Sequence, residues 1–196
     1  TPGYDLLALA TGSEGLLAIT LEVTVKLLPK PEAAQVVMAS FADVESAGEA
    51  VARVIGAGIV PAGLEMMDKL ATRAVEGFVH AGYDLEAEAI LLAESDGTRE
   101  EVAHEVAQMI EVMRASGASD IRCSQNDAER LRFWSGRKAA FPAVGRISPD
   151  YYCIDGSIPR AALAQVMRRT EELSARYGLR CANVFHAGDG NLHPLI

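Results

Sequence analysis

Two of the four histidines in this chain stand close together near its carboxyl end. His186 and His193 flank the sequence Ala-Gly-Asp-Gly-Asn-Leu, after an apolar run that is typical of a buried strand. Glycines let a backbone fold back tightly, and neutral imidazole is a common ligand of divalent metals. The spacing therefore predicts that both imidazoles meet at one point, most simply a metal site. A plain hairpin turn with two incidental histidines is an equally good interpretation of the spacing alone.

The two histidines do not complete a metal site by themselves. A catalytic zinc usually has three protein ligands and one open position. Because the sequence ends at Ile196, we expect a third ligand to come from elsewhere in the chain or from residues beyond this point.

Two further positions carry groups that suit a site. Arg137 follows the only tryptophan, Trp134, at the end of a predicted helix, where a guanidinium can bind a carboxylate in bidentate fashion beside an aromatic wall. An ordinary surface role for Arg137 is at least as good an interpretation. Glu65 and Asp68 form an acidic pair, although a helix cap explains Asp68 more simply.

The sequence Thr-Gly-Ser-Glu-Gly at residues 11–15 offers small residues and free backbone N–H groups immediately before a predicted strand. Such a segment suits the close approach of a phosphate or a planar cofactor. It is neither a Walker loop nor a GxGxxG fingerprint, so a simple turn is the better interpretation of this motif alone.

The elements that must position these residues follow from hydrophobic periodicity. Residues 16–28 predict a strand with one solvated face, and the Pro-Lys-Pro sequence at residues 29–31 ends it. Farther on, the pattern predicts strands at residues 36–41, 60–66, 89–93 and 119–123, and helices that begin at Asp43, Asp68 and Thr98. Strand, helix, strand, strand, helix, strand is the ferredoxin-like pattern. We therefore expect an α+β fold in which helices cover one face of an antiparallel sheet.

A further unit follows this pattern. It consists of a predicted helix at residues 127–139, a strand at residues 151–154, a helix from residue 157 that ends at Gly178, and a strand at residues 181–185. The last strand leads directly into the histidine motif.

Composition limits the classes of function. With 49% hydrophobic residues among 196, the chain can build a core, and its net charge of −9 argues against nucleic acid as a partner. Three widely spaced cysteines fit a reducing compartment, so we expect a cytoplasmic protein. No apolar run reaches the roughly 18 residues that a transmembrane helix requires. The first residues lack an initiating methionine, and we expect a piece of a longer polypeptide.

Four stretches together resemble the FAD-linked oxidase family, the flavoproteins related to the FAD-linked subunit of glycolate oxidase and to D-lactate dehydrogenase. They are Gly-Ser-Glu-Gly through Leu-Pro-Lys-Pro at residues 12–31, residues 61–68, Trp-Ser-Gly-Arg-Lys at residues 134–138, and His-Ala-Gly-Asp-Gly-Asn-Leu-His-Pro at residues 186–194. Their order is the family's order, and the resemblance spans nearly the whole chain.

The resemblance implies a division into two parts. Residues 1–30 would be the tail end of an FAD-binding domain, and residues 31–196 a substrate and cap domain that is truncated at its carboxyl end. It also implies that Ser13, Gly15 and Ile19 touch FAD, that His186 and His193 bind a divalent metal such as Zn or Mn, and that Arg137 holds the substrate carboxylate. A Glu-His-Gly motif beyond the end of this sequence would supply a further ligand and a base.

The reaction implied by the resemblance is the oxidation of a small D-2-hydroxy acid, glycolate or D-lactate, to the 2-oxo acid by hydride transfer to flavin. The resemblance also implies other subunits of an oxidase complex as partners, through which the protein would associate peripherally with the inner membrane. Because most of the FAD site would lie outside this chain, we expect the 196-residue form alone to be inactive and free of flavin.

Two other classes of function fit the same residues. One is a non-catalytic ferredoxin-like module for binding or dimerisation, in which the histidine loop is only structural. The other is a metal-dependent hydrolase, which would activate water at the metal without flavin.

Overall fold

The computed structural model describes residues 3–196, and the chain divides into two compact units, Thr1–Lys30 and Pro31–Ile196. Within the first unit, one short helix, α1 (Leu6–Ala10), begins at Asp5, whose carboxylate accepts a hydrogen bond from the Ala8 N–H at 3.0 Å. Residues 16–30 form neither helix nor strand, so the strand predicted at residues 16–28 is wrong. A strand needs a neighbour that takes its backbone hydrogen bonds. No strand of residues 3–196 pairs with this segment.

The second unit is built on one antiparallel sheet of seven strands. In chain order the strands are β1 (Ala33–Phe41), β2 (Gly63–Asp68), β3 (Ala89–Gly97), β4 (Asp120–Cys123), β5 (Gly156–Ser157), β6 (Ala182–His186) and β7 (Asn191–Leu195). Their order across the sheet is β4-β1-β3-β2-β6-β7-β5. The α+β class and the antiparallel, ferredoxin-like sheet are therefore confirmed.

Six helices accompany the sheet of this unit. They are α2 (Val44–Gly56), α3 (Lys69–Val79), α4 (Arg99–Ala115), α5 (Asp127–Lys138), α6 (Ala140–Gly145) and α7 (Leu163–Tyr177). Asp43, Asp68 and Thr98 cap α2, α3 and α4 as predicted, and Thr98 forms the expected capping box with Glu101. Within residues 3–196, none of the helices has the length and apolar character that a membrane crossing needs.

The helices cover both faces of the sheet, which corrects the expectation of a single covered face. Val37 and Ala39 pack in one core cluster with α2, α4 and α7, whereas Val36 and Met38 pack in a second cluster with α3, α5 and α6. Every residue of Val36–Phe41 is buried. A continuous apolar run, rather than an alternating one, is typical of a strand that is covered on both sides.

Two differences lie close to the histidine motif. The strand predicted at residues 151–154 forms only an isolated bridge between Cys153 and Leu195, with backbone hydrogen bonds between Tyr152 and Ile196 beside it. Strand β7 was not predicted from the sequence, because it contains Pro194, and proline weakens a strand signal. The second half of the histidine motif is therefore a strand of the sheet.

Candidate functional site

Three neighbouring strands present the central side chains of the candidate site on one face of the sheet. Met67 of β2 pairs with Val184 of β6, and Val184 pairs with His193 of β7. Side chains two residues apart on a strand point to the same face. Glu65, His186 and His193 therefore share the face of Met67 and Val184, which α3, α5 and α6 cover.

The Gly-Asp-Gly turn at residues 188–190 joins β6 to β7 as a hairpin, so the simple-turn interpretation describes the backbone correctly. Gly190 has a φ of +81°, and a Cβ there would lie 2.2 Å from the Ile158 carbonyl oxygen. Only glycine fits both constraints. The hairpin nevertheless brings the two imidazoles together, because the ring centroids of His186 and His193 lie 5.1 Å apart at an interplanar angle of 84°.

Arg137 reaches the same place from α5. This helix packs on the covered face through Phe133, and the Arg137 side chain is 9% exposed. Its Nη2 atom lies 3.5 Å from Nδ1 of His186. The three residues predicted from sequence as catalytic, Arg137, His186 and His193, are therefore neighbours in the structure.

Glu65 is the residue of this cluster that sequence reasoning did not assign. Its Oε2 atom accepts hydrogen bonds from Nε and Nη2 of Arg137 at 2.9 and 2.8 Å, and its Oε1 atom lies 2.8 Å from Nδ1 of His186. The available signal was a carboxylate within the apolar run Leu-Glu-Met-Met of β2. A charge buried in such a strand needs a paired charge or hydrogen bonds.

His193 lies at the inner edge of this cluster. Its side chain is 14% exposed, and its Nδ1 atom is buried without a hydrogen-bond partner among the described residues, 3.9 Å from an Asp155 carboxylate oxygen. The Phe141 ring contacts it edge-on, with centroids 5.9 Å apart. A buried polar atom without a partner marks a place where a ligand group could bind.

The metal prediction finds no support within residues 3–196. This part of the chain contains no group of three or more His, Cys, Asp or Glu side chains that could hold a metal ion. His186 and His193 supply two imidazoles, and Glu65 already occupies one nitrogen of His186. The described residues therefore do not make a complete metal site.

A cleft of about 380 Å³ opens beside the cluster. His186 and Glu65 line it together with Val60, Pro61 and Arg160, and neither Arg137 nor His193 does. Of the three residues predicted as catalytic, His186 alone therefore lines this cleft. Arg137 and His193 contact His186 without reaching this cleft.

A second carboxylate fixes the helix that carries Arg137. Glu94 of β3 accepts hydrogen bonds from the Trp134 indole and from Arg130, whose Nη1 atom lies 3.2 Å away. Residues 130, 134 and 137 fall on one face of α5 by helical spacing. Glu65 and Glu94 thus attach the same helix face to two adjacent strands.

Tyr83 limits the space beside Arg137. Its hydroxyl donates a hydrogen bond to the Phe133 carbonyl oxygen, and burial raises its pKa, so it stays a neutral phenol. A Cβ on Gly136 would lie 2.3 Å from the Tyr83 ring. The glycine before Arg137 is therefore required by the close approach of this ring.

Asp68, the last residue of β2, joins this strand to β6. Its carboxylate accepts hydrogen bonds from the backbone N–H and the side-chain amide of Asn183, at 2.8 and 2.7 Å, and from the Ala71 N–H at 2.9 Å. Burial raises the pKa of this carboxyl to about 6, and these hydrogen bonds oppose the rise. Asp68 therefore serves as helix cap and strand tie.

The residues predicted to touch FAD lie in the Thr1–Lys30 unit. Ser13 and Gly15 belong to a tight turn, in which the Ser13 carbonyl accepts a hydrogen bond from the Leu16 N–H at 2.9 Å and Gly15 has a φ of +80°. Ile19 follows in the irregular segment. Their contact with FAD stays a prediction.

Comparison with known proteins gives consistent matches. The family model described as FAD linked oxidases, C-terminal domain, matches residues 30–196. Glycolate oxidase subunit GlcD of Escherichia coli strain K12 is 61% identical over 196 residues, which are 100% of this chain and 39% of that protein. A probable mitochondrial D-lactate dehydrogenase of Danio rerio is 29% identical over 196 residues, covering 99% of this chain and 39% of that protein.

Solved structures agree on the fold. An alkyldihydroxyacetonephosphate synthase matches with a TM-score of 0.72 at 14% identity, covering 100% of this chain and 42% of that chain. The chain thus spans about two fifths of the length of the proteins that it matches.

Proposed function

Since this chain belongs to the family of FAD-linked oxidases, whose C-terminal domain it carries, we propose that the full-length protein oxidises a small D-2-hydroxy acid, glycolate or D-lactate, to the 2-oxo acid. The names of the two relatives, a glycolate oxidase subunit and a D-lactate dehydrogenase, support this substrate class. The family match also bears out the resemblance noted in the sequence.

The observation that carries the proposal is the contact of a guanidinium and an imidazole on one carboxylate. A 2-hydroxy acid presents a carboxylate and a hydroxyl on adjacent carbons, so its site needs a cation and a proton acceptor close together. Arg137 and His186 supply these groups 3.5 Å apart. Arg137 would orient the carboxylate through N–H groups that Glu65 leaves free, and the Nε2 lone pair of His186 would face the hydroxyl group, either as its acceptor or as a ligand of a metal ion that binds it.

FAD, when bound, would accept the hydride from C2 of the substrate. We propose that Ser13, Gly15 and Ile19 contribute to its binding, that residues 1–30 are the tail end of an FAD-binding domain, and that residues 31–196 form the substrate and cap domain. In this division, residues 31–196 bind and orient the hydroxy acid.

A divalent metal, Zn or Mn, on His186 and His193 would need a third donor, because residues 3–196 contain no complete set. Titration of the full-length protein with Zn²⁺ or Mn²⁺ tests this part of the proposal. His186→Ala and His193→Ala should each remove binding, whereas His104→Ala should not. Equal binding by all four proteins would exclude the two imidazoles as ligands.

We further propose that the protein assembles with other subunits of an oxidase complex, in the cytoplasm and peripherally at the inner membrane. The word subunit in the name of the E. coli relative supports assembly. Affinity purification of the tagged protein from its own cells, with and without a salt wash of the membranes, tests it. Recovery of the protein alone from the cytosol would contradict this assignment.

Anaerobic spectroscopy of the full-length protein tests the central proposal. We expect a yellow protein whose flavin absorbance bleaches on addition of glycolate or D-lactate and persists with L-lactate. A flavin that stays oxidised with each hydroxy acid would refute the proposed substrate class. A colourless protein that hydrolyses esters in the presence of a metal would support a hydrolase instead.

A further inference from the structure

We propose that Glu65 is a positioning residue of this site: it determines which ring nitrogen of His186 carries the hydrogen, and it holds the Arg137 guanidinium beside that ring. The catalytic consequence of this assignment rests on the proposed function, whereas the protonation pattern of the ring does not. Neither the family match nor the names of the relatives assigns a role to Glu65.

The two oxygens of Glu65 are divided between two partners. Oε2 accepts from Nε and Nη2 of Arg137, and Oε1 lies 2.8 Å from Nδ1 of His186. An ionised carboxylate can only accept hydrogen bonds, so the hydrogen of a neutral His186 must be on Nδ1. A lone pair on Nδ1 would face a carboxylate oxygen at that distance and would be repelled. Nη2 of Arg137 is the more distant neighbour of Nδ1, at 3.5 Å, so the carboxylate decides where the hydrogen lies.

Burial makes this arrangement specific. The side chains of Glu65 and Arg137 are 14% and 9% exposed, so little water competes for the carboxylate. The neighbouring strand β6 places His186 opposite Glu65 by continuing the register of the Met66–Phe185 pair. Both partners are thus held by secondary structure rather than by a loop.

The consequence for the site lies at the other ring nitrogen. Nδ1 and Nε2 are separated by one ring carbon and point away from each other, and the His186 side chain is 44% exposed although its Nδ1 is bound to a buried group. Nε2 therefore presents a lone pair on the accessible side of the ring, which lines the cleft. A histidine in this state offers one lone pair, which can accept a hydrogen bond from a ligand or bind a metal ion.

Glu65→Gln gives a sharp test, because it should reverse the protonation pattern of the ring. The amide oxygen must face Arg137, since an NH₂ group there would oppose the guanidinium donors. The amide NH₂ then faces Nδ1 of His186, which must become the acceptor, so the hydrogen moves to Nε2.

The measurement is the ¹⁵N NMR spectrum of histidine-labelled full-length protein at about pH 9, where an ordinary histidine with a pKa of about 6.5 is neutral. The His186 signals are assigned by their loss in His186→Gln. We expect hydrogen on Nδ1 in the wild type and in Glu94→Gln, and on Nε2 in Glu65→Gln. Glu94→Gln is the matched control, because Glu94 anchors the same helix without touching His186 or Arg137. Hydrogen on Nε2 in the wild type, or the same pattern in all three proteins, would overturn the proposal.

A second measurement concerns catalysis. In Glu65→Gln we expect the rate of flavin reduction at saturating hydroxy acid to fall about a hundredfold or more, because Nε2 then carries a hydrogen and no longer offers a lone pair to the substrate or to a metal ion. The apparent Kd of the substrate should change little, since the amide oxygen still holds Arg137, and Glu94→Gln should keep both values near those of the wild type. Equal loss in Glu65→Gln and Glu94→Gln would show that both carboxylates merely anchor the helix.

The two proposals can fail separately. If no hydroxy acid reduces the wild-type flavin, the proposed function fails while the NMR result still decides the role of Glu65. If the wild type is reduced normally but its His186 carries hydrogen on Nε2, the positioning role fails alone.

Discussion

Oε1 of Glu65 lies 2.8 Å from Nδ1 of His186, although 121 positions separate the two residues in the chain. The contact exists because β2 and β6 are adjacent in the sheet. Glu65 lies in β2, and His186 is the last residue of β6 before the hairpin. Arg137 of α5 binds the other oxygen of the same carboxylate. The carboxylate, the imidazole and the guanidinium therefore form one hydrogen-bonded group.

Replacement of Arg137 by lysine should weaken substrate binding in the full-length protein. Lysine is a point charge without a planar fork, so it cannot hold Glu65 and a substrate carboxylate as Arg137 would. We expect the Kd for the hydroxy acid, from anaerobic titration of the flavin absorbance, to rise about tenfold to a hundredfold, corresponding to about 1–3 kcal/mol. Arg130→Lys on the same helix is the control and should bind normally. Normal binding by Arg137→Lys would remove Arg137 from the substrate site.

Replacement of Glu65 by alanine should destabilise the protein. It leaves the buried Arg137 charge without its partner, which typically costs about 3–5 kcal/mol. Urea unfolding of the full-length protein measures this loss. The double variant Glu65→Met with Arg137→Met should be more stable than Glu65→Ala, because no charge is left unpaired. If the double variant lost as much stability as the single variants Glu65→Met and Arg137→Met do together, the two residues would not be coupled.

Replacement of Gly136 by alanine should also destabilise the protein, by about 1–3 kcal/mol, because the new methyl group overlaps the Tyr83 ring. Thermal unfolding measures the effect. In a Tyr83→Ala background the same change should cost much less. Gly77→Ala in α3 is the matched control, since no atom lies within 4 Å of its added Cβ, and alanine there should stabilise by up to about 1 kcal/mol.

Asp68 should make stability depend on pH. Its pKa is raised from 3.8 to about 6, so the folded protein binds this proton more tightly than the unfolded chain does. The resulting stabilisation is complete below about pH 4 and is lost as the pH rises through about 6, and it amounts to roughly 2–3 kcal/mol.

The measurement is the unfolding free energy of the wild type minus that of Asp68→Asn between about pH 4 and 8. Subtraction removes the contribution of the other carboxylates. The difference should grow in favour of the wild type as the pH falls from about 6 to 4. A difference that does not vary with pH would show that Asp68 titrates alike in the folded and unfolded states.

Local signals predicted much of the fold. The caps at Asp43 and Asp68 and the capping box at Thr98 satisfy backbone N–H groups within one turn, so their chemistry is visible in a few consecutive residues. The strand predicted at residues 16–28 failed because strand formation depends on a partner that a local pattern does not contain. The helices α3 and α5 were predicted, but their position on the second face of the sheet was not, because it depends on packing that a local pattern does not contain.

The candidate site shows the same contrast between residues with a local signal in the sequence and residues whose role depends on distant partners. The histidine pair was visible because both residues stand on one hairpin, and Arg137 was visible through its aromatic neighbour. Glu65 was not assigned, because its role depends entirely on two partners from distant parts of the chain. A residue whose function is set by sheet register cannot be read from its own surroundings in sequence.

The hairpin between β6 and β7 has a consequence for how this region can change by insertion or deletion. Because successive residues of β7 alternate between the two sides of the sheet, adding or removing a single residue in the turn would send His193 into the layer of α2, α4 and α7. Gly190, wedged against the Ile158 carbonyl, leaves little room for a longer loop. The length of this turn is therefore as strict a requirement for the paired imidazoles as the histidines themselves.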